Sequence, residues 1–167
     1  MNIVLIGMPG CGKSTIGVLL AKALMLDFVD TDLLIQKRYS KTLSEIIESE
    51  GLEAFKDKES EVLSALSFEN SLIATGGSAV YSQLGMENLK KDATVVYLKL
   101  TPKEIKQRIK NIKTRGIVMG KGVTIDALYA ERAPLYEKYA DFVLDCEGLD
   151  VEGCVSALSE ILGQIKS

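Results

Sequence analysis

Short apolar runs alternate with amphipathic stretches along the chain. The runs are rich in β-branched residues, which is typical of buried parallel strands. They lie at residues 2–6, 28–29, 72–75, 94–98 and 142–144. Between them, apolar residues recur at helical spacing. The pattern predicts helices at 13–25, from 33, from 43, after Gly51, from Pro102, from about Thr124 and over 151–165. Strands that alternate with helices predict an α/β fold, a three-layer α/β/α sandwich around a five-stranded, mostly parallel sheet.

Local signals sharpen several helix ends. Thr42-Leu43-Ser44-Glu45 has the form of a capping box, and Thr101-Pro102-Lys103-Glu104 offers a cap followed by a first-turn proline. Pro134 is expected to end or bend the helix that contains it. Residues 114–122 hold three glycines and predict a loop.

Ligands of parallel α/β sheets bind beyond the carboxyl ends of the strands. Gly7, Asp30, Gly76 and the loop before Pro102 all fall at such ends. This coincidence predicts a binding site there.

Length and composition exclude several classes of protein. The 167 residues predict one domain, and 47% hydrophobic with 26% charged residues excludes a disordered chain. No apolar run reaches the length of a membrane span, and no basic segment precedes the first apolar run, so we expect a cytoplasmic protein. The chain has no histidine and three irregularly spaced cysteines, which excludes the familiar zinc patterns and histidine bases.

Charge is spread unevenly along the chain. Residues 99–121 carry eight basic residues against one acid, although the net charge of the whole chain is −3. A solvated helix face is the simplest interpretation, but a local positive patch also suits a small polyanion. The acidic remainder argues against a nucleic-acid partner.

Residues 7–14, GMPGCGKS, match the phosphate-loop pattern G-x-x-x-x-G-K-[ST] between a predicted strand and a predicted helix. Backbone N–H groups of such a loop point at phosphate oxygens. We expect Lys13 to reach the β- and γ-phosphates and the Ser14 hydroxyl to coordinate Mg²⁺. Cys11 is expected to be a small filler inside the loop. The residues predicted here to bind a nucleoside triphosphate are Gly10, Cys11, Gly12, Lys13, Ser14 and Thr15.

The residues after the other strands narrow the class of phosphate-loop protein. No Asn-Lys-x-Asp run occurs, as a switch GTPase needs, and the third strand runs into Thr75-Gly76-Gly77 rather than a motor-type aspartate. Asp30-Thr31-Asp32 comes after the second strand. On an extended chain these two carboxylates point to opposite sides, so one is expected to face the metal and the other an acceptor. The alternative is that an aspartate merely caps the next helix.

The ordered set of these motifs resembles the shikimate kinases, small members of the nucleoside-monophosphate-kinase-like fold. It includes the phosphate loop, the Asp30–Asp32 stretch, Phe-Lys-Asp-Lys-Glu at 55–59, the glycine pair and Arg-Ala-Pro-Leu-Tyr at 132–136. The resemblance covers nearly the whole chain. It implies one domain over 1–167, with a mobile lid at about 114–122 and an acceptor-binding helical region at about 31–66.

The resemblance also implies roles for individual residues. On the nucleotide side, Asp30 would sit near Mg²⁺, Arg108 against adenine, and Arg115 would close onto the phosphates. On the acceptor side, Asp32 would be the base, while Gly76, Gly77 and Arg132 would bind shikimate, with Arg132 on its carboxylate. Lys56 stands where the family has a substrate-binding arginine. Lys13, Asp32 and Arg115 are thus the expected catalytic residues, ATP and Mg²⁺ the cofactors, and a monomer the expected state.

Three positions depart from the family pattern. Lys56 replaces an arginine, and a lysine cannot form a bidentate fork to a carboxylate. Ser78 stands where a third glycine is common, and Gly116 follows the lid arginine where proline is common. These departures leave two alternatives open, a kinase of the same fold for another hydroxylated metabolite, homoserine- or gluconate-like, and a nucleotide-binding module without catalysis.

Overall fold

The structure is a computed structural model that describes residues 1–110, 117 and 119–165. Residues 114–116 and 118 of the predicted lid, which include Arg115 and Gly116, lie outside the described residues.

The described residues form one five-stranded sheet in the order β2-β3-β1-β4-β5, and every neighbouring pair is parallel. The strands are β1 Ile3–Ile6, β2 Asp27–Asp30, β3 Ser71–Ala74, β4 Thr94–Lys99 and β5 Phe142–Asp145. All five predicted strands are therefore confirmed. Central β1 pairs Ile3 with Leu72 of β3 on one side and with Thr94 of β4 on the other.

Helices cover both faces of the sheet. Every residue of β1 and β3 is buried, and successive side chains of a strand point to opposite faces, so neither face is open to solvent at these two inner strands. The helices in the described part are α1 Lys13–Leu24, α2 Thr31–Tyr39, α3 Leu43–Glu50, α4 Leu52–Ala65, α5 Gln83–Lys90, α6 Pro102–Lys110, α7 Ile125–Tyr139 and α8 Val151–Ile165. The three-layer α/β arrangement predicted from the alternation is confirmed. None of these described helices is both long and apolar enough to cross a membrane.

The predicted helix starts are made by side-chain caps. Thr42 and Glu45 form the reciprocal capping box before α3, and Thr124 accepts from the Ala127 N–H before α7. Thr101 accepts from the Glu104 N–H at the start of α6. These contacts are local, which is why the sequence alone indicates them.

Two features of the helices were not predicted. Helix α5 was missed because its apolar stripe is short and interrupted by Gly85, and packing on α4 stabilises it instead. A Cβ at Gly85 would lie 2.7 Å from Leu63, and the Asn88 amide donates to the Leu63 carbonyl at 2.9 Å. Helix α7 does not end at Pro134 but continues to Tyr139, with Arg132 and Tyr136 buried on either side of the proline.

The carboxyl ends of β1, β2 and β3 lie side by side and lead into the segments that carry the candidate chemistry. These segments are the loop 7–12 before α1, the junction of β2 with α2, and a turn at Gly76–Ser78 followed by a short 3₁₀ helix, Ala79–Tyr81. The strand ends at which the sequence predicted a binding site thus lie next to one another, at the carboxyl ends of parallel strands.

Candidate active site

The loop from Gly7 to Gly12 curls between β1 and α1. Gly12 is the N-cap of α1 and has φ 94°, in the left-handed region where an L side chain is strained. Cys11 is buried within the loop, and its N–H donates to the Met8 carbonyl at 3.2 Å. A backbone curled in this way, at the positive end of a helix, is suited to bind a phosphate group.

Lys13, the first residue of α1, curves back over the loop. Its ammonium donates to the carbonyl oxygens of Gly7 at 2.7 Å and Met8 at 2.9 Å, and the side chain is buried. These two carbonyls hold the positive charge directly above the loop. Thr15, two residues further along α1, is exposed.

Asp30 joins the loop to the acceptor side of the site. Its Oδ2 accepts from the Ser14 hydroxyl at 2.9 Å, while its Oδ1 accepts from the backbone N–H of Asp32 at 3.0 Å. Asp30 is therefore the N-cap of α2 and a partner of Ser14 at the same time. The helix-capping role and the predicted role near a metal ion are thus compatible for Asp30.

The extended geometry predicted for Asp30 and Asp32 is wrong. The two are not alternate residues of an extended chain, because α2 begins at Thr31 and Asp32 lies in its first helical turn. The helix starts two residues earlier than its apolar residues indicate because Asp30 caps it. Asp32 points toward the turn after β3, since a Cβ on Gly76 would lie 2.8 Å from its Oδ1.

The Ser14 hydroxyl and the Asp30 carboxylate form a donor set that fits Mg²⁺. Both are hard oxygen ligands, and Mg²⁺ in phosphate-transfer sites takes one or two protein ligands together with substrate phosphates and water. The described residues contain no group of three or more acidic, cysteine or histidine side chains that could enclose a metal ion. Within the part of the chain that the structure describes, Ser14 and Asp30 thus offer a site with few protein ligands.

The turn at Gly76–Ser78 packs tightly between three helices. A Cβ at Gly76 would meet Asp32 at 2.8 Å and Glu59 at 2.9 Å, so a larger residue here displaces one carboxylate. The Gly76 N–H donates to the Thr31 hydroxyl at 3.3 Å, and the Tyr136 hydroxyl donates to the Gly77 carbonyl at 2.6 Å. The turn is thus held by α2, α4 and α7.

Glu59 is a buried acid beneath this turn. It is 1% exposed, and its Oε2 accepts from the Ser78 hydroxyl at 2.5 Å. Burial raises the pKa of Glu59 to about 7, and the nearby Asp32 carboxylate adds to the rise. The Ser78 hydrogen bond and the positive charges of Arg132 and Lys56 act in the opposite direction.

Arg132 reaches the same turn from α7. It is 1% exposed, its Nε donates to the Tyr81 hydroxyl at 3.2 Å, and a Cβ at Gly77 would lie 3.0 Å from its Nη1. The acids next to it in sequence bind other groups, since Glu131 accepts from Tyr81 at 2.5 Å and Glu137 lies 3.8 Å from Lys99. A buried guanidinium beside a glycine turn is suited to bind a carboxylate.

One cavity brings the two groups of predicted residues together. It is lined by residues of the loop and of the acceptor side, namely Pro9, Gly10, Gly12, Lys13, Ser14, Asp32, Leu43, Thr75, Gly76, Gly77, Ser78, Ile117 and Arg132. Ser14 contacts Asp30 at its edge. Arg108 of α6 lies behind the loop, where its Nη1 donates to the Cys11 carbonyl at 3.4 Å.

Lys56 lines a neighbouring cavity. Its ammonium lies 4.4 Å from the Tyr81 ring centroid and 3.5 Å from a Glu53 oxygen, and Ser78 forms the wall that the two cavities share. Lys56 therefore lies next to the cavity that the other predicted acceptor-binding residues line, and not within it.

Sequence reasoning missed three residues of the site. Glu59 ends the Phe-Lys-Asp-Lys-Glu stretch at 55–59, but nothing local marks it as buried. Tyr81 has no pattern around it, and Tyr136 was named only as the last residue of the Arg-Ala-Pro-Leu-Tyr stretch, without a role. Tyr136 does pack, with its ring centroid 5.0 Å from that of Tyr97, yet it also holds Gly77.

Comparison with known proteins gives a consistent result. A family model described as shikimate kinase matches residues 9–163. A shikimate kinase of Clostridium botulinum is 39% identical over 166 residues, which covers 99% of this chain and 94% of the relative. One of Thermodesulfovibrio yellowstonii is 40% identical over 154 residues, covering 90% and 88%.

Solved structures agree in fold. A shikimate kinase from Acinetobacter baumannii, in complex with shikimate, superposes with a TM-score of 0.88 at 31% identity, covering 98% of this chain and 93% of that one. A shikimate kinase from Aquifex aeolicus gives a TM-score of 0.81 at 33% identity, covering 99% and 96%.

Proposed function

Because the chain belongs to the shikimate kinase family and is a phosphotransferase with an alcohol acceptor, we propose that it transfers the γ-phosphoryl group of ATP to the 3-hydroxyl of shikimate. The products are shikimate 3-phosphate and ADP. The observation that carries this proposal is the single cavity in which Lys13 and Ser14 face Asp32, Gly77 and Arg132.

The loop residues bind the nucleotide. The N–H groups from Gly10 to Thr15 surround the phosphates, with Cys11 as filler, and Lys13 exchanges its two carbonyl partners for phosphate oxygens. Ser14 and Asp30 would hold Mg²⁺, which would neutralise charge on the bound phosphates. Arg108, which donates to the Cys11 carbonyl behind the loop, packs against the adenine ring in this proposal.

The acceptor residues bind and orient shikimate. Arg132, a buried cation, binds the carboxylate, and the Gly76-Gly77 turn contacts the ring through its backbone. Asp32, which is held against Gly76, orients the hydroxyl and accepts its proton. Lys56 adds positive charge from the adjoining cavity. Because phosphoryl transfer has a loose transition state, positioning and charge supply most of the rate.

Arg115 and the lid at about 114–122 complete the proposal. Arg115 closes onto the transferred phosphoryl group, and a closed lid excludes water that would otherwise hydrolyse ATP. We further propose one domain over 1–167, an acceptor region at about 31–66, a monomer and a cytoplasmic location, with no nucleic-acid or membrane partner.

A panel assay tests the proposed acceptor. ADP release from Mg-ATP is measured with shikimate, homoserine, gluconate and related hydroxylated acids. We expect turnover that depends on shikimate and on Mg²⁺. Turnover on another compound supports the alternative acceptor, which the departures at Lys56 and Ser78 motivate. ATP binding without turnover on any compound supports the non-catalytic module.

A further inference from the structure

Tyr81 connects two positive side chains that come from different helices. It ends the 3₁₀ helix directly after the Gly76–Ser78 turn. Its hydroxyl accepts from Arg132 Nε at 3.2 Å and donates to Glu131 Oε1 at 2.5 Å. The guanidinium of Arg132 is therefore fixed at one nitrogen by a phenol that is itself fixed by an exposed acid.

The ring of Tyr81 makes a second kind of contact. The Lys56 ammonium lies 4.4 Å from the ring centroid, and the Arg132 guanidinium carbon lies 5.2 Å from it. Cations are attracted to the face of an aromatic ring at such distances. One side chain thus stabilises both Lys56, from α4, and Arg132, from α7.

Ordinary core packing does not account for this arrangement. Tyr81 is only half-buried, whereas the packing tyrosines Tyr97 and Tyr136 are fully buried. Burial raises the pKa of the Tyr81 hydroxyl, so it keeps its proton and its bond to Glu131 through the neutral range.

We propose that Tyr81 is a positioning residue of the acceptor site, which holds Arg132 where it binds the acceptor carboxylate and keeps the positive charge of Lys56 beside it. This role rests on the proposed function. Lys56 is a flexible point charge rather than a planar fork, so its position depends on what its ammonium contacts. The Tyr81 ring supplies such a contact on the side of the cavity, in addition to the ion pair of Lys56 with Glu53.

The test compares Tyr81→Phe with Tyr81→Leu in the shikimate-dependent assay. Phenylalanine keeps the ring and removes the hydroxyl, and we expect the KM for shikimate to rise about three- to tenfold. Leucine removes the ring as well, and we expect a rise of about ten- to thirtyfold. The KM for ATP and kcat should stay within about twofold of the parent in both variants, since the phosphate loop is untouched.

Tyr39 offers a matched control. Its hydroxyl donates to Glu61 at 2.8 Å and its ring lies 4.3 Å from the Lys58 ammonium, so it repeats the contacts of Tyr81 away from the cavity. Tyr39→Phe and Tyr39→Leu should leave the KM for shikimate unchanged.

A second measurement tests whether Lys56 acts through Tyr81. Lys56→Met should raise the KM for shikimate in the parent but have a smaller effect in the Tyr81→Leu background, because residues in one contact network are not additive. Equal effects in both backgrounds contradict the proposal.

Other outcomes are also decisive. A KM for shikimate that stays within about twofold in both Tyr81 variants, or a rise shared equally by ATP, overturns the positioning role. If the leucine variant does not fold, the phenylalanine variant decides. A parent with no shikimate turnover refutes the proposed function before any variant is made. If the parent uses another acceptor, its KM replaces that of shikimate, and an unchanged value overturns the role of Tyr81.

Discussion

The two halves of the cavity are built in different ways. The phosphate half is a continuous loop, Gly7 to Ser14, in which the proposed phosphate contacts come mostly from backbone N–H groups. The acceptor half is made of side chains from α2, α3 and α7 together with the turn after β3, spread from Asp32 to Arg132. A backbone site depends on a few local residues, whereas a side-chain site depends on the packing of every element that contributes to it.

This difference separates binding of ATP from recognition of the acceptor. Two described contacts join the halves: Asp30 binds Ser14 with one oxygen and caps α2 with the other, and Pro9 of the loop packs against Gly77. Changes on the acceptor side should therefore alter the acceptor parameters and leave ATP binding in place. Three variants on the acceptor side, with one matched change on the phosphate half, test this separation in order of decreasing effect.

Replacing Asp32 by asparagine should have the largest effect. The backbone N–H that Asp30 accepts from is retained, so the cap of α2 remains. Loss of the base should lower kcat about 10²- to 10⁴-fold. The KM for ATP should stay within about twofold of the parent. Steady-state kinetics with both substrates varied measure the two effects.

Ser14→Ala is the matched change on the phosphate half, and it should raise the KM for Mg-ATP. An Asp32→Asn enzyme that works at the parental rate would show that Asp32 is not the base. An Asp32→Asn enzyme that has lost ATP affinity would show that the two halves are not separate.

Arg132→Lys should have an intermediate effect. Lysine keeps the buried charge but cannot make two parallel bonds to a carboxylate, so the KM for shikimate should rise about 10- to 100-fold. The KM for ATP should not change. Arg38→Lys, an exposed position where the arginine pairs with Glu61, is the control and should behave like the parent. An equal rise in both KM values would place Arg132 on the nucleotide half instead.

Glu59→Gln should have the smallest effect on turnover and a visible effect on stability. The folded carboxyl has a pKa of about 7 against an ordinary value of 4.5, so between these values the folded chain holds a proton that the unfolded chain releases. As pH rises from 4.5 to about 7, this group should therefore lower the free energy of unfolding of the parent by about 3 kcal/mol. Above pH 7 it should cause no further loss. Glutamine keeps an oxygen for Ser78 and should remove this part of the pH dependence.

Urea unfolding at pH 5, 6, 7 and 8 measures the Glu59 effect. Glu61→Gln, an exposed acid on the same helix, should leave the pH dependence of the parent in place between pH 5 and 8. Parallel loss of stability in the parent and the Glu59→Gln variant would assign the pH dependence to other groups.

The sequence predicted the sheet and the phosphate half because their signals are local. Five apolar runs mark the strands, and GKS with its glycines marks the loop. The α5 helix was not predicted because it is stabilised by packing on α4. Its Asn88 donates to the Leu63 carbonyl of α4, and the two residues are distant from each other in sequence. The start of α2 was misplaced because a polar cap, rather than an apolar residue, begins it.

The acceptor half was only partly predictable. Asp32, Gly76, Gly77 and Arg132 were named through a resemblance, and the cavity brings them together. Glu59 and Tyr81 were missed because their roles depend on burial and on partners that only the fold brings near. Ser78 was noted as a departure, but its bond to Glu59 required the structure.

Tyr136 joins the interior of the protein to the substrate turn. Its ring stacks on Tyr97 of β4 and its hydroxyl holds Gly77. Attempts to engineer a more heat-resistant form by refilling the space around these rings will therefore also move a wall of the pocket. Redesign of this enzyme must treat its tyrosine stack as a part of acceptor selectivity, and inhibitors shaped for the pocket will be sensitive to substitutions well outside it.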